Sequence, residues 1–453
     1  MPIEKVDNTD LTYYLVCYDK DGKEQTDNGG LLSDRVRAAI QNDPITDVFI
    51  MSHGWRGDIP AAREQYNRWI HAMAGCEADR RQIRELRKSF TPLLVGFHWP
   101  SEPWGDEEIG VGAGTSFAAP GGPGGGSLED AIAHYVELYA DRIADTPAAR
   151  AALTTIFSAA ARGTPPGNRL PPDVADAYRT LDRESGMGDG GPGAAPGDDR
   201  EPFNPDAAYA NSKPVPGQAP SFGGGGLSSL LSPLRGLSFW KMKDRARTVG
   251  ESAGFSLLSS AQKAVPQGRD VRFHLMGHSF GCIVMSAFLN GPDGKGTLPA
   301  PVHSLTLVQG ATSLWGYCTA NPPLTSNPGY FRGLVDQKKV AGAILTTQSK
   351  RDSAVGRFYP IAAGVARQVN FAPGDKLPKY GGIGAFGLQG PGLSLHDLPI
   401  GDAAQSYGFE RGHVYNLECT NVIKDGTGAS GAHSDIAHPE VAHVQWQAAL
   451  ALP

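Results

Sequence analysis

The chain of 453 residues lacks most of the features that would settle its class early. No apolar run approaches the ~20 residues that cross a bilayer, and Met1-Pro2-Ile3-Glu4-Lys5 has none of the apolar core of a signal peptide. Cysteine is scarce: Cys17, Cys76, Cys282, Cys318 and Cys419 are odd in number and scattered, with no C-x-x-C. That excludes a disulfide framework and favours a reducing compartment. The compartment expected is therefore the cytoplasm, with export by a leaderless route left open. There is no excess of positive charge, since 41 Lys and Arg against 47 Asp and Glu leave −6. Neither nucleic acid nor an anionic membrane is an expected partner. Arg80, Arg81, Arg84, Arg87 and Lys88 alternate with Glu77, Asp79 and Glu85, the pattern of a solvated helix face. No H-E-x-x-H occurs, and His433, His438 and His443 recur in steps of five, off one helical face. No metal is expected, and without a dinucleotide fingerprint no organic cofactor either.

What the chain does have is glycine and proline, 58 and 35 residues, heavily concentrated. They separate segments of two periods. Strand-like runs occupy Leu11 to Tyr18 (with a turn at Asp19 to Gly22), Asp47 to Met51, Pro92 to Phe97, Ser304 to Val308, Val340 to Thr347 and Val414 to Val422. Helices are expected over Leu31 to Ile40, Ala61 to Met73, Phe239 to Ala264, Val355 to Val369 and Pro439 to Ala451. Strands alternating with helices predict a mostly parallel sheet covered on both faces, an α/β fold. Residues 105–238 break the pattern. Glycine tracts at Gly121 to Gly126 and Gly223 to Gly226, and a Gly/Pro/Asp stretch at Gly186 to Asp206, predict flexible chain. Helices at Leu128 to Asp145, Pro147 to Arg162 and Pro172 to Glu184 lie between them. The plan is thus a core of 1–104 and 239–453 with 105–238 inserted. A second loose excursion is expected over Phe371 to Gly412.

One stretch carries chemistry. Val271-Arg272-Phe273-His274-Leu275-Met276 is strand-like, Gly277-His278-Ser279-Phe280-Gly281 is a G-x-S-x-G, and Ile283 to Leu289 is an apolar helix. Strand, sharp turn and helix are the context of a nucleophile elbow, in which a strained turn lifts the serine hydroxyl clear of the sheet. Gly277 and Gly281 keep side chains from colliding where strand and helix nearly touch. A simple N-cap is the alternative for Ser279.

In a parallel sheet the reacting groups gather at the carboxyl ends of the strands. Among the histidines after the elbow, His303 and His413 precede strands, His396 lies in the loose excursion, and His438 and His443 belong to the last helix. His433, on the loop after the last strand, is the candidate general base. Asp352, in the loop after Ile344 to Thr347, is the candidate acid, with an N-cap as its plainer role. The second oxyanion donor beside the Phe280 N–H is sought in His53-Gly54-Trp55, where Gly54 permits a tight backbone and the Trp55 N–H is the candidate.

These residues resemble the α/β-hydrolase superfamily of serine hydrolases, over about 11–104 and 239–450. Phe49 to Trp55 together with His98-Trp99-Pro100-Ser101 resembles a lipase- or esterase-like bacterial branch with an H-G-aromatic loop and a W-P-S strand end. The resemblance implies an α/β-hydrolase fold and hydrolysis of a small-molecule or lipid ester by Ser279, His433 and Asp352. A phospholipase, thioesterase, amidase or acyltransferase would carry the same residues. A non-catalytic binding protein that keeps the fold is the rival from another class. Finally, the apolar stretch Leu227 to Trp240 beside Gly223 to Gly226 suggests that the insertion caps the site as a lid.

Overall fold

A computed structural model describes residues 3–26, 29–55, 58–101, 127–163, 167–211, 230–320, 327–359, 377–426 and 430–451. Among these residues the strands β1 (Ile3–Lys5), β2 (Thr12–Cys17), β3 (Asp47–Ser52), β4 (Pro92–His98), β5 (Arg272–His278), β6 (Ser304–Val308), β7 (Ile344–Gln348), β8 (Leu395–Pro399) and β9 (Val414–Glu418) form one sheet. Its order is β1-β2-β4-β3-β5-β6-β7-β9-β8. Only β1 on β2 is antiparallel; every other pairing is parallel.

The central strands are apolar along their length because helices cover both faces. On β3, Val48 and Ile50 enter the core beneath the helices Leu32–Asn42, Ser232–Val249 and Gly281–Asn290. Phe49 and Met51, pointing the other way, enter the core beneath Ile59–Gly75, Glu77–Leu86 and Pro439–Leu450. A strand alternates its side chains, so one short run feeds two cores. The helices Leu128–Arg142, Pro147–Arg162 and Pro172–Glu184 build a third core with the first turns of Ser232–Val249. Leu230, Leu231, Leu234 and Leu237 are buried there, within the helical unit. Among the described residues no helix is long and apolar enough to cross a membrane.

Several expectations are corrected. The segment from Gly186 to Asp206 is ordered, and charge rather than apolar area holds it. Asp199 is buried against Lys243 (2.6 Å) and Tyr359 Oη (2.5 Å), and Arg200 binds Asp182 at 2.7 Å. A reading by composition counts apolar residues and so passes over buried ion pairs. The excursion from 371 to 412 contains β8 and the short helix Ile383–Phe386, although 371–376 lie outside the described residues. β8 is an edge strand with a largely exposed pattern and a proline, so it shows no alternation in sequence. His396 sits on it, with Nε2 2.7 Å from His413 Nδ1. The long helix begins at Ser232 and passes through a π-helical turn at Gly250–Gly254, where a Cβ on Gly254 would lie 2.0 Å from the Phe288 ring. Asp79, expected on a solvated face, is 2% exposed. The glycine tracts at 121–126 and 223–226, and most of the helix expected from Val355 to Val369, lie outside the described residues.

Candidate active site

β5 ends at His278 and the helix Gly281–Asn290 starts three residues later. Ser279 forms the turn at φ +57°, a left-handed conformation that a serine adopts only when its surroundings impose it. They do so from both sides. Its N–H donates to Val308 O at 3.2 Å, and its carbonyl accepts from Ala311 N at 3.1 Å. The flanking glycines are required by close approach. A Cβ on Gly277 would lie 2.3 Å from Gly281 O, and one on Gly281 would lie 2.3 Å from Ser52 O.

His433 stands over this turn. Its Nε2 is 2.8 Å from Ser279 Oγ and its Nδ1 is 2.7 Å from Asp352 Oδ2. An ionised carboxylate only accepts, so Nδ1 carries the proton and the Nε2 lone pair faces the serine hydroxyl. The two loops clasp each other: Ala432 N donates to Arg351 O at 3.0 Å, and Gly431 takes φ +56° where a Cβ would meet Arg351 O at 2.4 Å. Asp352 is 2% exposed and both of its carboxylate oxygens are engaged. Its Oδ1 accepts from Val355 N at 3.0 Å, in the turn that follows, while Oδ2 meets His433 Nδ1.

Sequence reasoning missed two groups. Gln309, directly after β6, donates from Nε2 to Asp352 Oδ2 at 3.0 Å and to Gly384 O at 2.9 Å. Its Oε1 accepts from Thr347 Oγ1 at 2.9 Å, and its backbone sits at φ +44°. Its place at a strand end was the available signal, but a search for titratable groups passes over an amide. The second is His278, whose Nε2 donates to His433 O at 2.9 Å. Burial, with the His433 ring nearby, pushes its pKa down to about 3 and keeps it neutral.

The other histidines weighed against His433 are engaged elsewhere. His303 Nδ1 accepts from Phe273 N at the opposite end of the sheet. His438 pairs with Asp435 at 2.7 Å, and the other Asp435 oxygen accepts from Lys424 N and Asp425 N. Asp435 is thus taken up by its own loop.

The two segments expected to supply the oxyanion donors both lie beside Ser279. The Phe280 N–H stands at the start of the helix Gly281–Asn290, among the donors a helix leaves without an intrahelical acceptor. Gly54, on the loop after β3, lies so close that a Cβ on it would be 2.7 Å from Ser279 Cβ. The Trp55 ring lies 5.5 Å from Phe280 and 6.0 Å from Phe239. A buried network supports this loop. His53 Nε2 meets His98 Nδ1 at 3.0 Å, the Tyr66 hydroxyl accepts from His53 N at 2.9 Å, and Ser101 Oγ donates to Gly54 O at 3.0 Å. Sequence supplied no role for Tyr66, His98 or Ser101 beyond the motifs that contain the last two.

Comparison with the models of known protein families, with curated proteins and with solved structures finds no match to the chain.

Proposed function

We propose that the protein is a serine hydrolase that cleaves carboxylic esters through an acyl-enzyme. The observation that carries this is the unbroken line from Ser279 Oγ through His433 to Asp352, with the serine on a strained turn. Ser279 Oγ attacks the ester carbonyl while His433 Nε2 takes its proton, and the alcohol departs with that proton. Water then repeats the sequence on the acyl-enzyme. Asp352 holds the imidazole in the tautomer that can accept and stabilises the imidazolium that forms. The N–H groups of Phe280 and Trp55 receive the oxyanion.

The α/β-hydrolase resemblance is supported by the position of Ser279 after β5, the oxyanion loop between β3 and the helix that follows, and the chain order Ser279, Asp352, His433. The insertion 105–238, with its described helices Leu128–Arg142, Pro147–Arg162 and Pro172–Glu184, serves as the cap in this proposal. Phe239, just beyond it, lies 5.2 Å from Phe280 and carries the unit's last helix to the rim of the site.

The test is hydrolysis of p-nitrophenyl esters of increasing acyl length, with phospholipid and triglyceride emulsions alongside, by the wild type and Ser279→Ala. Turnover by the wild type alone is expected. Equal rates for both proteins, or none for either across the panel, refute the proposal.

A further inference from the structure

The Gly54–Trp55 peptide is gripped by its carbonyl. That oxygen accepts from Ser101 Oγ at 3.0 Å and from His53 Nδ1 at 2.8 Å. A single donor would satisfy a buried carbonyl; two donors converging on it also fix its direction. A trans peptide is planar with C=O and N–H pointing opposite ways, and the described chain has no cis bond. Holding the oxygen therefore sets the direction of the Trp55 N–H on the opposite edge of the same plane. The peptide begins at Gly54, where a Cβ would lie 2.7 Å from Ser279 Cβ.

The proton positions behind this grip follow by elimination. A carbonyl only accepts, so His53 Nδ1 carries the hydrogen and Nε2 keeps a lone pair. That lone pair faces His98 Nδ1 at 3.0 Å and Trp99 N at 3.4 Å. His98 must then donate from Nδ1. His53 is 1% exposed, and its ring lies near-parallel to that of Trp99 at 5.9 Å while its Nε2 edge is held by His98, which fixes its orientation.

We propose that Ser101 is a positioning residue for oxyanion stabilisation: with His53, whose tautomer His98 sets, it turns the Gly54–Trp55 peptide so that the Trp55 N–H faces the developing oxyanion above Ser279. This rests on the serine-hydrolase function proposed above. As Ser279 Oγ bonds to the acyl carbon, the carbonyl π electrons move onto oxygen and the Trp55 N–H donates to that alkoxide. The electrons return when the C–O bond to the alcohol breaks and the alcohol leaves with the proton held on His433. Ser101 touches none of these atoms, and its effect passes through the peptide plane.

The experiment is steady-state kinetics on p-nitrophenyl butyrate, with the affinity of an alkyl boronic acid whose tetrahedral adduct mimics the oxyanion. Losing an oxyanion donor outright costs about 10²–10³ in kcat. Misdirecting one by Ser101→Ala should lower kcat roughly ten- to a hundredfold, leave KM within about twofold, and weaken the boronate by the same factor as kcat. Ser101→Cys, a weaker donor of similar size, should fall between wild type and Ser101→Ala. His98→Asn, which keeps a donor towards His53, should stay near wild type, and His98→Leu should fall with Ser101→Ala. The proposal is overturned by wild-type kcat in Ser101→Ala, by a loss carried in KM, or by equal losses in the two His98 variants. If Ser101→Ala does not fold, the His98 pair decides. A wild type that neither turns over the ester nor takes a fluorophosphonate on Ser279 refutes the hydrolase function itself, a different result from any of these.

Discussion

Two of the buried histidine–aspartate pairs, one at the Ser279 turn and one between the helices Glu77–Leu86 and Pro439–Leu450, are nearly identical, and the likeness is instructive. His433 Nδ1 meets Asp352 at 2.7 Å; His443 Nδ1 meets Asp79 at 2.6 Å. Distance and burial do not tell them apart. The other ring nitrogen does. His433 Nε2 faces the Ser279 hydroxyl, which can donate, so that nitrogen can accept. His443 Nε2 faces Gln405 O at 2.5 Å, which only accepts, so that ring needs protons on both nitrogens. Burial works to lower the His443 pKa, but Asp79 and the Gln405 carbonyl outweigh it and hold it above the ordinary value. A His–Asp pair is thus a structural ion pair or half of a reactive site according to what its far nitrogen meets.

The strongest way to break the comparison is to remove the reactive nitrogen or the serine. Ser279→Ala or His433→Ala should cost roughly a millionfold in kcat, and the double variant should lose little more, because such groups act as a unit. Additive losses measured in steady-state assays would contradict a shared role. Asp352→Asn should lower kcat by about 10⁴, since an amide donor would select the wrong tautomer of His433. If Asp435→Asn is inactive and Asp352→Asn is not, the acid is misassigned. Gln309→Leu keeps the carboxylate but releases one oxygen, and roughly a ten- to hundredfold loss of kcat at unchanged KM is expected. His443→Leu should leave kcat unchanged at 25 °C yet lower stability by about 3–5 kcal/mol, the usual cost of stranding a buried charge. A thermal melt beside the ester assay checks both halves.

The surroundings of the two pairs also part on pH. Burial holds His53, His98 and His278, all beside the site, at pKa values of about 3, 4 and 3. Unfolded, they titrate near ~6.5. Between those values the unfolded chain binds more protons, so stability is complete above about pH 6.5 and is lost as pH falls. Each such histidine removes about 1.4 kcal/mol per pH unit in that window. His443 acts in the reverse sense, its contribution present at low pH and lost as pH rises through its raised pKa. Three groups outweigh one, so Tm should fall between pH 7 and pH 5. A level or rising Tm would mean that these rings are not buried neutral.

The sheet and the meeting of Ser279, His433 and Asp352 were legible because few residue types satisfy their constraints. Gly277 and Gly281 are required by approaches of 2.3 Å, which no other residue survives, and Ser279, Asp352 and His433 each follow a strand whose apolar run marks its end. What was not legible depends on pairing across the chain. Asp199 and Lys243 are 44 positions apart, and each looks like a surface charge until the fold buries both. Asp79 and His443 are 364 positions apart and mislead in the same way. Gln309 and Ser101 act through hydrogen bonds to a carboxylate and a carbonyl, and neither residue type announces such a role in a sequence.

The measurement that bears most directly on the central claim is labelling with a fluorophosphonate, followed by mass mapping of the modified peptide. The account predicts one adduct per chain, on Ser279, formed by the wild type and suppressed in His433→Ala while both proteins remain folded. An unmodified Ser279 after prolonged exposure of folded wild-type protein, or an adduct on another serine, would contradict it.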